Sequence, residues 1–147
     1  MPIINYTTSI GYEKTIAEIQ AKLVQAGATK FVTDYDNQVP VAVTFCLRVR
    51  DELFPYSLPV NYEAILQVMK NDPKVPRRLC TREQAIRVGW RITKVWIEAQ
   101  LAFIESEMVT TAEVFLPYAV TKSGKTLYQE IAAGNIHIGK AIGAGAQ

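Results

Sequence analysis

Near the C-terminus, Gly134 to Lys140 read GNIHIGK, the glycine and lysine spacing of a loop that cradles phosphate oxygens with backbone amides. That chemistry needs Ser or Thr after the lysine to hold magnesium, a buried strand before the loop, and a helix whose N-terminus faces the phosphate. Here Ala141 follows the lysine, no buried strand precedes the glycine, and only seven residues follow Lys140. Ser123 to Thr126, SGKT, ends the same way, but Ala119 occupies the place of the first glycine, so the stretch reads as a turn. His137 is the only histidine and cannot join a histidine-rich metal site. The two cysteines, Cys46 and Cys80, lack metal-ligand spacing and read as reduced structural thiols. Cys80 lies beside basic residues and a helix start, yet no histidine accompanies it to serve as a base. Asp34, Asp36, Asp51 and Glu52 flank turns, where carboxylates are ordinarily solvated. No catalytic residue, metal ligand or cofactor is assigned, and the chain reads as non-enzymatic.

The basic residues are distributed more informatively. Between Lys70 and Lys94 lie eight Lys and Arg against Asp72 and Glu83, a window of +6 in a chain whose total is +2, so the remainder is −4. Clustering of this kind is the electrostatic footprint of an anionic partner. Lys74, Arg77, Arg78, Arg82, Arg87 and Arg91 are the candidate nucleic-acid-binding residues. Arg87 and Arg91 are four apart on one helical stripe, where like charges repel, whereas Lys94 can pair with Glu98. Tyr56, Tyr62 and Trp90 are aromatic neighbours able to stack on bases, although a Trp on a nearly apolar helix is ordinarily core. The competing reading is a solvated or internally paired face.

The element that must position these charges runs from Thr81 to about Met108. Thr81 and Gln84 have the capping-box spacing, the hydroxyl accepting a first-turn amide and the glutamine reaching back to the cap. On a wheel of about 100° per residue, Ala85, Gly89, Ile92, Trp96, Ala99 and Phe103 form one seam, with apolar strips on both sides. Only Arg87, Arg91, Lys94, Glu98 and Glu105 form a polar edge. Such a helix is expected to be buried on most of its circumference and to be the spine of the fold, of an oligomer, or of both. At Gly89 on the seam, alanine is expected to be neutral or stabilising and leucine to overpack.

Ahead of the spine, residues 2–10 alternate as a short strand would. Tyr12, Ile16, Ile19, Leu23 and Ala26 form a helical stripe, with Gly27 at the left-handed cap position. TKFVTDY reads as a strand and DNQ as a turn. In VPVAVTFCLRV, Val41, Val43, Phe45, Leu47 and Val49 share the inward face. Pro55 and Pro59 limit LFPYSLPV to an edge strand or extended segment. Asn61 is the expected cap of a helix over 62–70. In the following loop Pro73 and Pro76 stiffen the presentation of Lys74, Arg77 and Arg78. After the spine, Thr111 is the expected cap of a short helix, and TLYQEIAAG begins a last one.

With 147 residues, 49% hydrophobic and 20% charged, the chain has the makings of one globular domain over 1–133 with a Gly-rich tail over 134–147. The N-terminus lacks the pattern of a signal peptide, and no apolar run reaches membrane-spanning length, so a cytoplasmic protein without membrane association is expected. The expected fold is α+β, a small antiparallel sheet of three or four strands packed on one long central helix with shorter flanking helices.

The opening NYTTSIGYEKTIAEIQAKL, the DYD turn and the stretch REQAIRVGWRITKVWIEAQLAFIESEMVTTAEVFLPYAVTKSGKTLYQ resemble a group of small uncharacterised bacterial and phage proteins. The resemblance implies a bacterial or mobile-element setting and carries no activity or site residues. From the residues themselves, the expected function is that of an oligomeric, non-enzymatic protein binding single-stranded DNA or RNA through the basic patch. The alternative is a self-assembling structural or interaction protein with no nucleic-acid role. In either case a homo-oligomer is expected, with Ile136, Ile138 and Ile142 of the tail docking on a neighbouring subunit.

Overall fold

The computed structural model describes residues 2–139. Helix α1 (Tyr12–Gln25) is followed by strands β1 (Lys30–Asp36), β2 (Val39–Val49) and β3 (Glu52–Pro59). Helices α2 (Tyr62–Asn71), α3 (Arg82–Glu105), α4 (Thr111–Phe115) and α5 (Leu127–Ala132) complete the order. The strands form an antiparallel meander, β1-β2-β3, packed on the long helix α3, so the α+β architecture is as expected from the sequence.

Local chemistry accounts for most of these boundaries. At the end of α1 the Ala28 amide donates to the Leu23 carbonyl and the Gly27 amide to that of Val24, with Gly27 at φ +110°, the paired bonds of a Schellman cap. Asn61 caps α2 by accepting from the Ala64 amide, as its position suggests. Thr110, one residue before the expected cap, accepts from the Glu113 amide while the Glu113 side chain returns the bond.

Strand β2 carries a correction to the expected inward face. Its register with β1 pairs Ala42 with Asp34 but Pro40 with Tyr35, leaving Val41 as the extra residue of a bulge. The bulge shifts the alternation, so Pro40 is buried along with Val43, Phe45 and Leu47, while Val41 is only half-buried. Proline is tolerated in this central strand because its missing N–H falls at the bulge. Its carbonyl accepts from the indole nitrogen of Trp90 at 3.3 Å.

Helix α3 is buried on two opposite sides over its first half. Ile86, Trp90 and Ile97 join the sheet side chains Val43, Phe45, Tyr56 and Leu58 and the α1 residues Ile16, Ile19 and Leu23 in one core. Ala85 and Val88 join Met69 and Val75 in a second, with Ile65, Leu66, Leu79 and Ile92 packed around it. The second half is less covered than the wheel implied: Val95, Ala99, Ala102 and Phe103 are exposed.

Two further sequence expectations yield to tertiary contacts. Residues 2–10 form no strand; Asn5 has φ +62°, and the Thr8 amide closes a turn on its carbonyl. The Gln84 side chain does not return to its cap. Thr81 accepts from the Gln84 amide, but the Gln84 carboxamide donates to the Tyr6 and Thr8 carbonyls at 2.9 and 2.8 Å, tying the N-terminal segment to α3. Gly89 also reads differently in place. A Cβ there would stand 2.9 Å from Val60 Cγ1, just after β3, and 3.0 Å from Ile65 Cδ1 of α2, so a side chain would have to push these neighbours aside.

Gly89→Ala is therefore expected to lose stability, the clash with branched, buried Val60 outweighing a helix-propensity gain of about 1 kcal/mol, and Gly89→Leu to lose more. Urea denaturation checks the order wild type, Ala, Leu. Gln84→Met is expected to cost about 1–3 kcal/mol and to release residues 2–10, raising their amide hydrogen exchange while that of β2 keeps its protection.

Candidate nucleic-acid interface

Lys74, Arg77, Arg78, Arg82, Arg87 and Arg91 do not form one surface. The structure divides them by what answers their charge.

The first group sits on the loop between α2 and α3. The Asp72 carboxylate accepts from the Lys74 amide at 2.9 Å, and Val75 plugs into the second core beside Met69. Pro76 then starts a single 3-10 turn over Arg77–Leu79, closed by the Leu79 amide on the Pro76 carbonyl and the Cys80 amide on that of Arg77. The Cys80 thiol points back to the Met69 carbonyl at 3.5 Å, a structural use of that cysteine. A loop tied at Asp72, Val75 and Cys80 holds Lys74, Arg77 and Arg78 outward, all three exposed. Among the described residues none of these three forms an ion pair or donates a side-chain hydrogen bond.

Arg82, in the first turn of α3, borders this group. Its Nε and Nη2 donate to the Tyr62 hydroxyl at 3.3 and 3.1 Å, and its guanidinium carbon lies 5.3 Å from the Tyr62 ring centroid. The hydrogen bond to Tyr62 holds the already high Arg82 pKa further up, so the group is a permanent cation. Arg82 and Tyr62 thus set a charge and a half-buried aromatic ring side by side next to the loop. Tyr56 and Trp90, the other aromatic candidates, are fully buried in the core and present no face to a base.

The second group faces α1. Arg91 Nη1 donates to Glu18 Oε1 at 2.9 Å and to Thr15 Oγ1 at 3.1 Å, with only 15% of the arginine side chain exposed. Lys94 lies 3.3 Å from Glu98 and 3.7 Å from Glu18, and Lys22 reaches Glu98 at 3.7 Å. Arg87 donates to Gln84 Oε1 at 3.1 Å and is half-buried. Glu18 was the partner missing from the sequence reading. The available signal was the stripe Thr15, Glu18 and Lys22, which flanks the apolar stripe of α1 at the same three- and four-residue spacing.

A concavity of about 480 Å³ lies elsewhere, between the C-terminal ends of α1 and α3, lined by Lys22, Leu47, Glu98, Leu101, Ile104 and Glu105 among others. It contains no member of the exposed basic group, and its charged rim mixes one lysine with two glutamates. Among the described residues no three His, Cys, Asp or Glu side chains converge as metal ligands, and no helix is long and apolar enough to cross a membrane. Gly134–Gly139 of the phosphate-loop-like stretch is described without a strand before it, and its Ile136 and Ile138 are exposed; Lys140 and Ile142 lie outside the described residues.

The hydrogen bond from Arg91, followed by the charges of Arg91 and Lys94, holds the Glu18 carboxyl below its ordinary value of 4.5 against an opposing effect of burial. A folded-state pKa below the unfolded one contributes stability that is present above about 4.5 and is lost as pH falls through the depressed value. Thermal melts from neutral pH downward are expected to show this acid-side loss in wild type and a smaller one in Glu18→Gln.

The chain matches no protein-family model, no curated protein and no solved structure.

Proposed function

We propose that this protein binds single-stranded DNA or RNA in the cytoplasm, without sequence preference, through the loop bearing Lys74, Arg77 and Arg78 and the adjoining Arg82 and Tyr62. The reading is supported by one observation above all: a loop held in place at Asp72, Val75 and Cys80 carries three outward cations that nothing among the described residues answers. Cations presented by a fixed loop need little ordering on contact with phosphate oxygens, and guanidinium groups bind them through paired N–H donors. Tyr62, already carrying Arg82 on its ring, adds an aromatic surface beside the phosphate contacts, a combination that tolerates any base. Arg87 and Arg91 take no part in this surface; Arg87 donates to Gln84 within α3, and Arg91 ties α3 to α1 through Glu18 and Thr15.

Binding of short DNA and RNA single strands, followed by fluorescence anisotropy against salt, tests the assignment. Arg77→Ala with Arg78→Ala is expected to weaken all sequences alike and to reduce the slope of log K against log salt by about 0.7 per lost phosphate contact. Arg91→Ala is expected to leave that slope unchanged and to lower stability by about 1–2 kcal/mol, since it strips Glu18 and Thr15 of their shared donor. Salt-independent binding, or no binding to either nucleic acid at low salt, would refute the proposal.

A further inference from the structure

The two edges of the sheet differ in what they offer another strand. Along β3, Pro55 and Pro59 have no amide to donate, and the Val120 amide already occupies the Pro55 carbonyl, so that edge is blunted. Edge strand β1 has no proline, and the extra residue of the bulge, Val41, belongs to β2, so the alternation of β1 is unbroken from Lys30 to Asp36. The ladder fixes which of its backbone groups face outward. The Val60 amide donates to the Val41 carbonyl at 2.7 Å, which assigns Val41, Val43, Phe45 and Leu47 to bonds with β3. Ala42, Thr44 and Cys46 are left to bond Asp34, Val32 and Lys30 of β1. The N–H and C=O groups of Phe31, Thr33 and Tyr35 therefore point away from the sheet, and among the described residues they have no hydrogen-bond partner.

We propose that this edge is the interface of a symmetric dimer, in which β1 of a second copy adds antiparallel to it with the two-fold axis at Thr33 and the two sheets become one. The strand is complementary to its own reverse, which singles out a second copy. With the axis at Thr33 the whole strand overlaps, setting Thr33 against Thr33, Phe31 against the partner's Tyr35, Val32 against the partner's Asp34 and Lys30 against the partner's Asp36. Phe31, Thr33 and Tyr35, whose backbone groups face outward, then form the hydrogen-bonded pairs. Charge selects the same register. Lys30 and Asp36 are exposed and form no ion pair among the described residues, and each meets its opposite at one end of the joint. The two Asp34 carboxylates approach diagonally across the axis, each holding the Thr44 hydroxyl of its own chain at 3.1 Å and flanked by the partner's Lys30. Apolar contact extends the core across the joint: Phe31 packs on the main core, and Tyr35, on the same face and 61% exposed, is covered by the partner's Phe31. The Arg77–Arg78 loop follows α2, which continues from the opposite edge strand, β3, so the dimer stands independently of nucleic-acid binding.

Sedimentation velocity at low salt and high micromolar concentration is expected to give twice the 16.4 kDa chain mass for wild type and for Arg77→Ala with Arg78→Ala. Thr33→Pro removes the central outward amide and spares the ladder to β2, so it is expected to give the monomer mass with an unchanged circular dichroism spectrum. Lys30→Asp and Asp36→Lys each set like charges opposite one another, and each alone is expected to raise the dissociation constant about tenfold. Mixed in equal amounts, the two reversed chains are expected to pair with the wild-type constant, because every contact between positions 30 and 36 is again opposite in sign. Both substitutions fall on exposed side chains, so this pair decides the matter even if Thr33→Pro disturbs the fold. Amide exchange at Phe31, Thr33 and Tyr35 is expected to slow as wild-type concentration rises. A wild-type monomer throughout this range would overturn the proposal, as would a dimer indifferent to Thr33→Pro or reversed chains that do not recover on mixing. A monomer in which deleting residues 140–147 speeds exchange at those three amides would overturn it in favour of the chain's own C-terminus.

Discussion

The first half of α3 is enclosed from two opposite sides, by the sheet and α1 on one and by α2 on the other, and the remaining structure is arranged around that enclosure. A helix in this position can expose little backbone or side chain to water, so each polar group it carries has to be met by protein. Trp90 meets Pro40, Gln84 meets Tyr6 and Thr8, and Arg91 meets Glu18 and Thr15. Among the described residues no buried side-chain nitrogen or oxygen is left without a partner. The enclosure also explains Gly89. Two neighbouring elements approach the helix where a side chain would otherwise stand, and removing the Cβ lets Val60 and Ile65 close the gap.

Charge sorting follows from this enclosure. A cation on the edge of α3 that faces α1 is partly stripped of water and acquires an acidic partner, hence the network of Arg91, Lys94, Glu18, Glu98 and Lys22. A cation on the loop that enters α3 keeps its water and needs no partner. One run of basic residues therefore has two uses, one in holding helices together and one in presenting charge outward. The dividing line is burial and not position in the chain, since Arg82 and Arg87 are only five residues apart.

Polar residues around the α3 N-terminus show how a local rule is redirected. Thr81 and Gln84 have the spacing of a capping box, and the threonine half of the box forms. The glutamine half does not: the Gln84 nitrogen donates to two carbonyls of the N-terminal segment, its oxygen accepts from Arg87, and the Thr81 amide donates to the Leu79 carbonyl instead. Capturing Tyr6 and Thr8 also removes the segment from any sheet. Its alternation of apolar residues therefore ends in a turn, with Ile3 and Tyr6 packed beside the second core.

The sequence by itself determined the periodic elements: the stripe of α1 with its Gly27 cap, the alternation of β2, the Asn61 cap of α2, and the start and length of α3 to within a few residues. These depend on dihedral preferences and on contacts between residues three or four apart, which a short window contains. Tertiary structure alone decided the partners of Arg91 and Gln84, the bulge that turns Pro40 inward, and the tight passage at Gly89. It also decided that the basic window splits, because Glu18 lies 73 positions from Arg91 and Tyr6 lies 78 from Gln84. Where one donor has several acceptors within reach, the winner is the one that packing has already desolvated and aligned, and that choice belongs to the assembled core.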